Sequence, residues 1–535
     1  MEISLYLLSL IGSGAGFMTQ MLVSGYWATA FSNDIFYYSI NLAFYLLALG
    51  IGSLLSNRFK HPTFKQLGHL IIGLLAVTGF SIPFLKWGIG HFGNAVLFPI
   101  GVVTIAGVLN GLIVPLTLRI GVKYPRMSLG TLFFIDYSAA TLFAFLFTFV
   151  FLIPLGYSKT ALLISISSTL IVTVIFMFQV IFQEKKIPLK SMSLIVATLI
   201  LPTSFYFGSG GHVAPRMDRS GVAKILHNEQ SHYQKIVLTE ETSGERRFES
   251  GLKHVLFLDG FVQFSTVDEK SYHFCLVDVP VMAGWYQKQP IKKVLILGGG
   301  DGLAARKLLN HSEVEGITLV ELDPSMIKLA RENAIVREYN KDSLRNPKVE
   351  VIIDDAFRWV QENQESLKGQ FDLILIDFPA PKNLTLARLF AAEFYRSAFT
   401  LLKPNGWVSI QAGPSYSFED PTRKTISEVT ASILKTVESI NYHAFPYVTP
   451  QDSEAFVFAT QDSTFDMETF SRSIGINTGG WLGGLCRYDK GWKIPPVEKN
   501  TLNTLRLSQY MLSWFRKAGD VFFYYRGNHL VLLPD

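Results

Sequence analysis

Cysteine is nearly absent from this 535-residue chain, in which Cys275 and Cys486 are the only two. They stand in no CxxC or metal-ligand spacing, which argues against a disulfide framework and against a structural zinc site. Charge is also missing over a long stretch. Almost none appears before about residue 210, whereas the remainder has the mixed charge of a soluble enzyme. The net charge of +5 is therefore no sign of nucleic acid binding. Many basic residues sit between apolar runs, where membrane orientation accounts for them. A basic leader is lacking too. The opening MEISLYLLSLIGSGAGFMTQ is apolar for too long to be a cleaved signal peptide and reads as a retained anchor.

What the first half has instead is hydrophobic length. Runs long enough to span a bilayer follow at about 36–55, 67–85, 95–118, 129–154 and 160–182, with a shorter one at 192–208. A soluble core can hide one such helix but not six or seven in succession. Arg58, Lys60 and Lys65 fall in the second loop, Arg119, Lys123 and Arg126 in the fourth, and Lys185, Lys186 and Lys190 in the sixth. The first, third and fifth loops offer only Lys86 and Lys159. The positive-inside rule then puts the even loops and the N-terminus in the cytoplasm. A seventh full span would export everything after residue 210. That last run is short, holds Pro202 and is followed by Arg216, Arg219 and Lys224, so a re-entrant or interfacial helix is the alternative. Asp136 lies within an apolar span; it marks a cation or substrate path, or it is hydrogen-bonded to a neighbouring helix.

Beyond residue 211 the pattern becomes short alternating runs, with LDG between two of them as a hairpin signal. Strand and helix then alternate: VLIL before GGGDG, ITLVELD, VEVIIDDA, FDLILID and GWVSIQAG, each strand followed by a helical stretch except the last. Apolar runs of this length, separated by helices, predict a parallel sheet covered on both faces. Ligands of such sheets bind at the carboxyl ends of the strands. Those ends carry Gly298, Gly299, Gly300, Asp301 and Gly302, then Glu321, then Asp355 beside Ala356, then Asp377. The glycines permit a tight turn and close approach of backbone to ligand. Asp301 disfavours a dinucleotide, because a carboxylate repels pyrophosphate at short range. A nucleoside with a cationic side chain fits better. Asp301 would face the cation, Glu321 the ribose hydroxyls, Asp355 the adenine amine, and Asp377 the reacting centre.

The motifs YQKI (233–236), LDGFVQ (258–263), DEKSYH (268–273), GGGDG (298–302), VELD (320–323), DDA (354–356) and LID-x-P (375–379) stand in the order found in spermidine synthases. The chain resembles that polyamine aminopropyltransferase family from about 225 to 460, and its multi-span N-terminal region resembles the membrane-bound bacterial branch. The resemblance implies aminopropyl transfer from decarboxylated S-adenosylmethionine to a diamine such as putrescine, giving spermidine and methylthioadenosine. It implies no cofactor beyond that co-substrate, and no metal. It also implies that Gln234, Asp301, Glu321, Asp355 and Ala356 bind the nucleoside donor. Tyr272 and His273, with Asp301 and Asp377, would line the amine site, and Asp377 would be the catalytic base. Taken alone, Tyr272 reads as a half-buried strand aromatic and His273 as a satisfied core histidine.

The expected fold is a polytopic α-helical membrane domain of six or seven transmembrane helices (1–210) fused to an α/β domain. The latter is divided into a small antiparallel β unit (211–290), a doubly wound, mostly parallel Rossmann-like sheet of methyltransferase type (291–464) and a partly helical extension (465–535). In that extension NTLRLSQYMLSWFRKAG has the spacing of an amphipathic helix. The expected partners are a polyamine substrate and the lipid bilayer, with no nucleic acid; a homodimer through the soluble domain is allowed for. The expected location is the cell (inner) membrane, with the catalytic domain in the cytoplasm.

One departure stands out. The family continues from its aspartate as D-x-x-D-P, but here Ala380 occupies the place of the second acid. Leu303 replaces a common third glycine. A weak synthase, a different amine acceptor, or binding without turnover would each follow. The other readings are an S-adenosylmethionine-dependent methyltransferase, opposed by Asp301, and a polyamine transporter or sensor, which has only Asp136 behind it.

Overall fold

The computed structural model describes residues 2–31, 34–92, 97–124, 127–182, 189–208, 224–242, 252–259, 261–266, 269–417, 419–420, 422–449, 454–477 and 480–518. Arg126, Lys185, Lys186, Arg216, Arg219, Gly260 and Asp268 lie outside them. The chain divides near residue 217 into two compact units.

In the first unit seven helices follow one another: α1 (Glu2–Phe31), α2 (Asp34–Leu55), α3 (Phe64–Phe92), α4 (Leu97–Gly121), α5 (Leu129–Phe145), α6 (Leu152–Phe182) and α7 (Leu189–Gly208). Among the described residues six helical stretches are long and apolar enough to cross a membrane, and a shorter apolar stretch, Ile195–Ser204, lies within α7. Helices satisfy their own backbone polar groups, which is what an apolar solvent demands. Close approach is bought with small residues. A Cβ on Gly52 of α2 would fall 2.2 Å from the Val108 carbonyl oxygen of α4, and one on Gly111 of α4 would fall 2.2 Å from the Leu49 oxygen. Polar side chains of this unit pair between helices: Asn110 donates to the Tyr45 hydroxyl at 2.7 Å, and Ser13 donates to Asp136. Asp136 thus has the neighbouring-helix partner that the second of its two readings requires.

The second unit holds, among the described residues, two sheets. Strands β1 (Lys224–Gln230), β2 (Lys235–Thr242), β3 (Leu252–Leu258) and β4 (Phe261–Ser265) form an antiparallel meander in sequence order. The larger sheet contains β5 (Lys293–Gly298), β6 (Gly316–Glu321), β7 (Val349–Ile353), β8 (Phe371–Asp377), β9 (Leu402–Pro414), β10 (His443–Val448) and β11 (Glu454–Thr460). Its order is β10-β11-β9-β8-β5-β6-β7, parallel from β7 to β9 and antiparallel at β11 and β10. Val294 and Ile296 of β5 enter one apolar core and Leu295 and Leu297 the other, on the opposite face. That is why the strand is an unbroken apolar run rather than an alternating one. Each such side chain, fully buried, contributes about 1.5–3 kcal/mol.

The strand order reverses at β5, which lies between β6 and β8. The crevice at such a reversal is where open α/β sheets bind ligands. After the sheet, helix Arg506–Ala518 buries Leu507, Met511 and Trp514 in the core shared with β8 and β9. Cys275 and Cys486 are bonded to each other, contrary to the expectation from their spacing. Sequence distance between two cysteines carries no information on whether the fold brings them together.

Candidate active site

Backbone packing sets the site. Gly298 at the tip of β5 stands in register with Asp377 at the tip of β8. Its φ is +86°, and a Cβ there would fall 2.3 Å from the Asp377 carbonyl oxygen. In the same loop a Cβ on Gly300 would fall 2.7 Å from Glu321 Oε2. The glycines therefore let three strand tips close on one another, and three carboxylates come with them.

Asp377 is 5% exposed, and Asp301 7%. Burial raises the pKa of Asp377, and the neighbouring His273 and a hydrogen bond from Tyr272 partly counter it. Asp301 is raised to about 6 by burial and then by the Asp377 charge; His273 and the Leu303 N–H, which donates to Oδ1 at 2.9 Å, act the other way. Glu321 is raised to about 7, chiefly by burial, although the Asp323 N–H donates to its Oε1 at 2.9 Å. Three acids with raised pKa values gathered in one crevice mark it as the candidate site.

Tyr272 and His273 are not on a strand. They end the short helix Glu269–His273, which passes through a π turn (Phe274–Asp278) into helix Val279–Tyr286. The Tyr272 hydroxyl donates to Asp377 Oδ1 at 2.5 Å, and its own pKa is pushed far up by burial and by that carboxylate. His273 Nδ1 lies 3.0 Å from the Glu269 carbonyl oxygen, and Glu269 is paired with Arg306. The histidine is thus both a satisfied core residue and a neighbour of the acid pair.

Gln234 bonds to Asp323, beyond the tip of β6. Its Nε2 donates to Asp323 Oδ2 at 3.0 Å, and Ser231 Oγ donates to the same oxygen at 2.6 Å. Asp323, which sequence reasoning left without a role, also caps helix Pro324–Glu332 through the Ser325 N–H at 3.0 Å. It joins the small β unit to the tip of β6. The structure does not bring Asp355 into the acid group. Its Oδ1 caps helix Ala356–Asn363 by accepting from the Phe357 and Arg358 N–H groups, and its Oδ2 pairs with Arg388.

Ala380 packs against the apolar core that contains Phe378. Lys382, two residues on, is buried, with Nζ 3.7 Å from Asp259 Oδ2. Two polar residues by the site were missed. Gln411, near the end of β9, donates from Nε2 to Glu454 Oε2 on β11 at 3.0 Å. The polar residue ending GWVSIQAG was the available signal for Gln411; β11 itself was not foreseen, so Glu454 had none.

The family model for the spermine/spermidine synthase domain matches residues 269–468, which spans Tyr272 to β11. A polyamine aminopropyltransferase of Leptospira interrogans is 30% identical over 520 residues, covering 95% of this chain and 98% of the relative. The chain belongs to the polyamine aminopropyltransferase family. Another member, from Oceanobacillus iheyensis, is 31% identical over 528 residues, covering 96% of this chain and 97% of its own. The likeness therefore runs through the helical unit as well as the catalytic one. Among solved structures, spermidine synthase from Thermotoga maritima is 22% identical, with a TM-score of 0.38 over 55% of this chain and 88% of its own. The enzyme is an aminopropyltransferase of polyamine biosynthesis, with decarboxylated S-adenosylmethionine as co-substrate. The methyltransferase and transporter readings are not favoured.

Proposed function

We propose that the enzyme transfers the aminopropyl group to a linear diamine such as putrescine, with Asp301 seating the donor's terminal ammonium and Asp377 acting as base. The observation that carries this is the pair of buried carboxylates, Asp301 and Asp377, at adjacent strand tips with Tyr272 donating to the second. An acid at 301 attracts the ammonium of the decarboxylated donor and repels the carboxylate of intact S-adenosylmethionine, so repulsion contributes to selectivity. Glu321 accepts from the ribose hydroxyls. Ala356 begins a helix, and its N–H belongs to the first turn that seeks outside partners, which suits the adenine ring. Asp355 Oδ2 is the acceptor offered to the adenine amine, in exchange for Arg388. Gln234 reaches the donor from the small β unit.

An ammonium has no lone pair with which to attack. Asp377 takes one proton from the acceptor nitrogen, whose lone pair then forms the new C–N bond at the methylene next to sulfur. The C–S bond breaks, its electrons neutralise the sulfonium, and methylthioadenosine leaves. Attraction by Asp377 also raises the amine's own pKa, so positioning and loss of water share the work. The soluble unit faces the cytoplasm, where both substrates are made, and the apolar helices anchor it in the cell membrane.

The test is to incubate the purified protein with decarboxylated S-adenosylmethionine and putrescine and to weigh the product. Spermidine and methylthioadenosine in equal amounts are expected. No transfer to any linear diamine would overturn the reading.

A further inference from the structure

The family's second acid is missing at position 380, yet a diamine has two ammonium groups. One becomes the nucleophile beside Asp377. The other must be desolvated in the same cleft, and an unpaired buried cation is costly. Ala380 has nothing to offer it, and Lys382 beside it is a cation already set against Asp259.

A strand packed against Tyr272 has what Ala380 lacks. The Tyr272 ring stands edge-on to Phe456 of β11, with centroids 5.1 Å apart and planes at 72°. Phe456 is paired in register with Gln411 on β9, and Glu454 precedes it by two residues on the same strand. The β9–β11 register is irregular between Glu454 and Phe456. Irregularities of this kind re-aim side chains beside active sites. Gln411 is 7% exposed; its Nε2 is committed to Glu454, and its Oε1 is buried with no partner among the described residues. A buried amide oxygen without a donor is rare and calls for one. The negative charge of Glu454 also bears on the Tyr272 hydroxyl, together with those of Asp377 and Asp301. Tyr272 is therefore flanked by the reacting acids and by a further acid from β11, on the antiparallel side of the sheet.

We infer that Glu454, with Gln411 Oε1, holds the far ammonium of the acceptor and replaces the acid that residue 380 does not supply. This rests on the diamine reading above. The replacement comes from a different strand, so the geometry of the second ammonium site differs from one built on the loop after β8. Glu454 makes the acceptor a diamine or longer polyamine rather than a monoamine.

The discriminating variant is Glu454→Gln, which keeps an oxygen to accept from Gln411 and removes only the charge. Steady-state kinetics are compared with putrescine and with butylamine, which has the same chain and one nitrogen fewer. Loss of one charge-assisted hydrogen bond corresponds to about ten- to a hundredfold. KM for putrescine should rise by about that factor, with KM for the donor and affinity for methylthioadenosine unchanged. The preference for putrescine over butylamine should collapse by a similar factor. Ala380→Asp should restore putrescine use in the Glu454→Gln background while adding little to the wild-type enzyme. If wild type turns over putrescine and Glu454→Gln keeps both its KM and its preference, this inference fails and the function stands. If wild type uses no diamine, both fail.

Discussion

At the scale of single residues, the acids of the crevice are poised to respond to both pH and cations. Asp301, at about 6, and Asp377, also raised, bind protons that free carboxylates would have lost. Only their ionised forms attract an ammonium, so activity is present above these pKa values and lost as pH falls through them. The acid limb of kcat/KM should therefore lie near pH 6 for the donor, which Asp301 seats, and above the usual carboxylate range for the acceptor, which Asp377 serves. Tyr272 donates to Asp377 and thereby lowers its pKa. Tyr272→Phe should move that limb to higher pH, which a pH–rate profile would read; an unmoved limb would contradict the assigned contact. Asp377→Asn should lower kcat by about 10²–10⁴. Its affinity for methylthioadenosine, measured by calorimetry, should stay within a few-fold of wild type. Equal turnover would remove Asp377 from the role of base.

At the scale of elements, the tips of β5 and β8 meet because one position lacks a side chain. Gly298→Ala adds a Cβ where the Asp377 carbonyl lies 2.3 Å away, at a φ of +86°. Strain of this sort costs about 1–3 kcal/mol. Chemical denaturation of the variant should show a loss of that order, with kcat falling because Asp377 shifts. The parallel strands were readable because each is an apolar run ending in a carboxylate or glycine, a pattern that burial on both faces imposes. The antiparallel pair β10–β11 was not. Pro446 interrupts HAFPYV, and a proline argues against a central strand. Here β10 is the edge of the sheet, where the missing N–H is tolerated; with β10 unread, its partner β11, which carries Glu454, went unread too. Asp355 escaped for another reason: an acid before a helix reads alike as a cap or a ligand, and its partner Arg388 is 33 residues away. The Tyr-His pair was legible as a motif, but its helix was not, since five residues followed by a π turn leave no periodicity to read.

At the scale of the whole molecule, the helical and catalytic units are inherited together, since the relatives match almost end to end. With the N-terminus in the cytoplasm, six crossings fit the cytoplasmic location proposed for the second unit. A cytoplasmic catalytic unit makes a direct prediction. Lys490, 75% exposed in its side chain, should react with a membrane-impermeant amine reagent in inverted vesicles and stay unlabelled in intact cells. The reverse pattern would export the catalytic unit. The bond between Cys275 and Cys486 spans 211 residues, and it starts three positions after Tyr272. A gene fragment trimmed to the matched residues, 269–468, would keep the first cysteine and discard its mate. The chain beyond residue 468 is thus stitched to the segment that follows Tyr272, and an excision drawn at the edge of the family resemblance would cut through the seam.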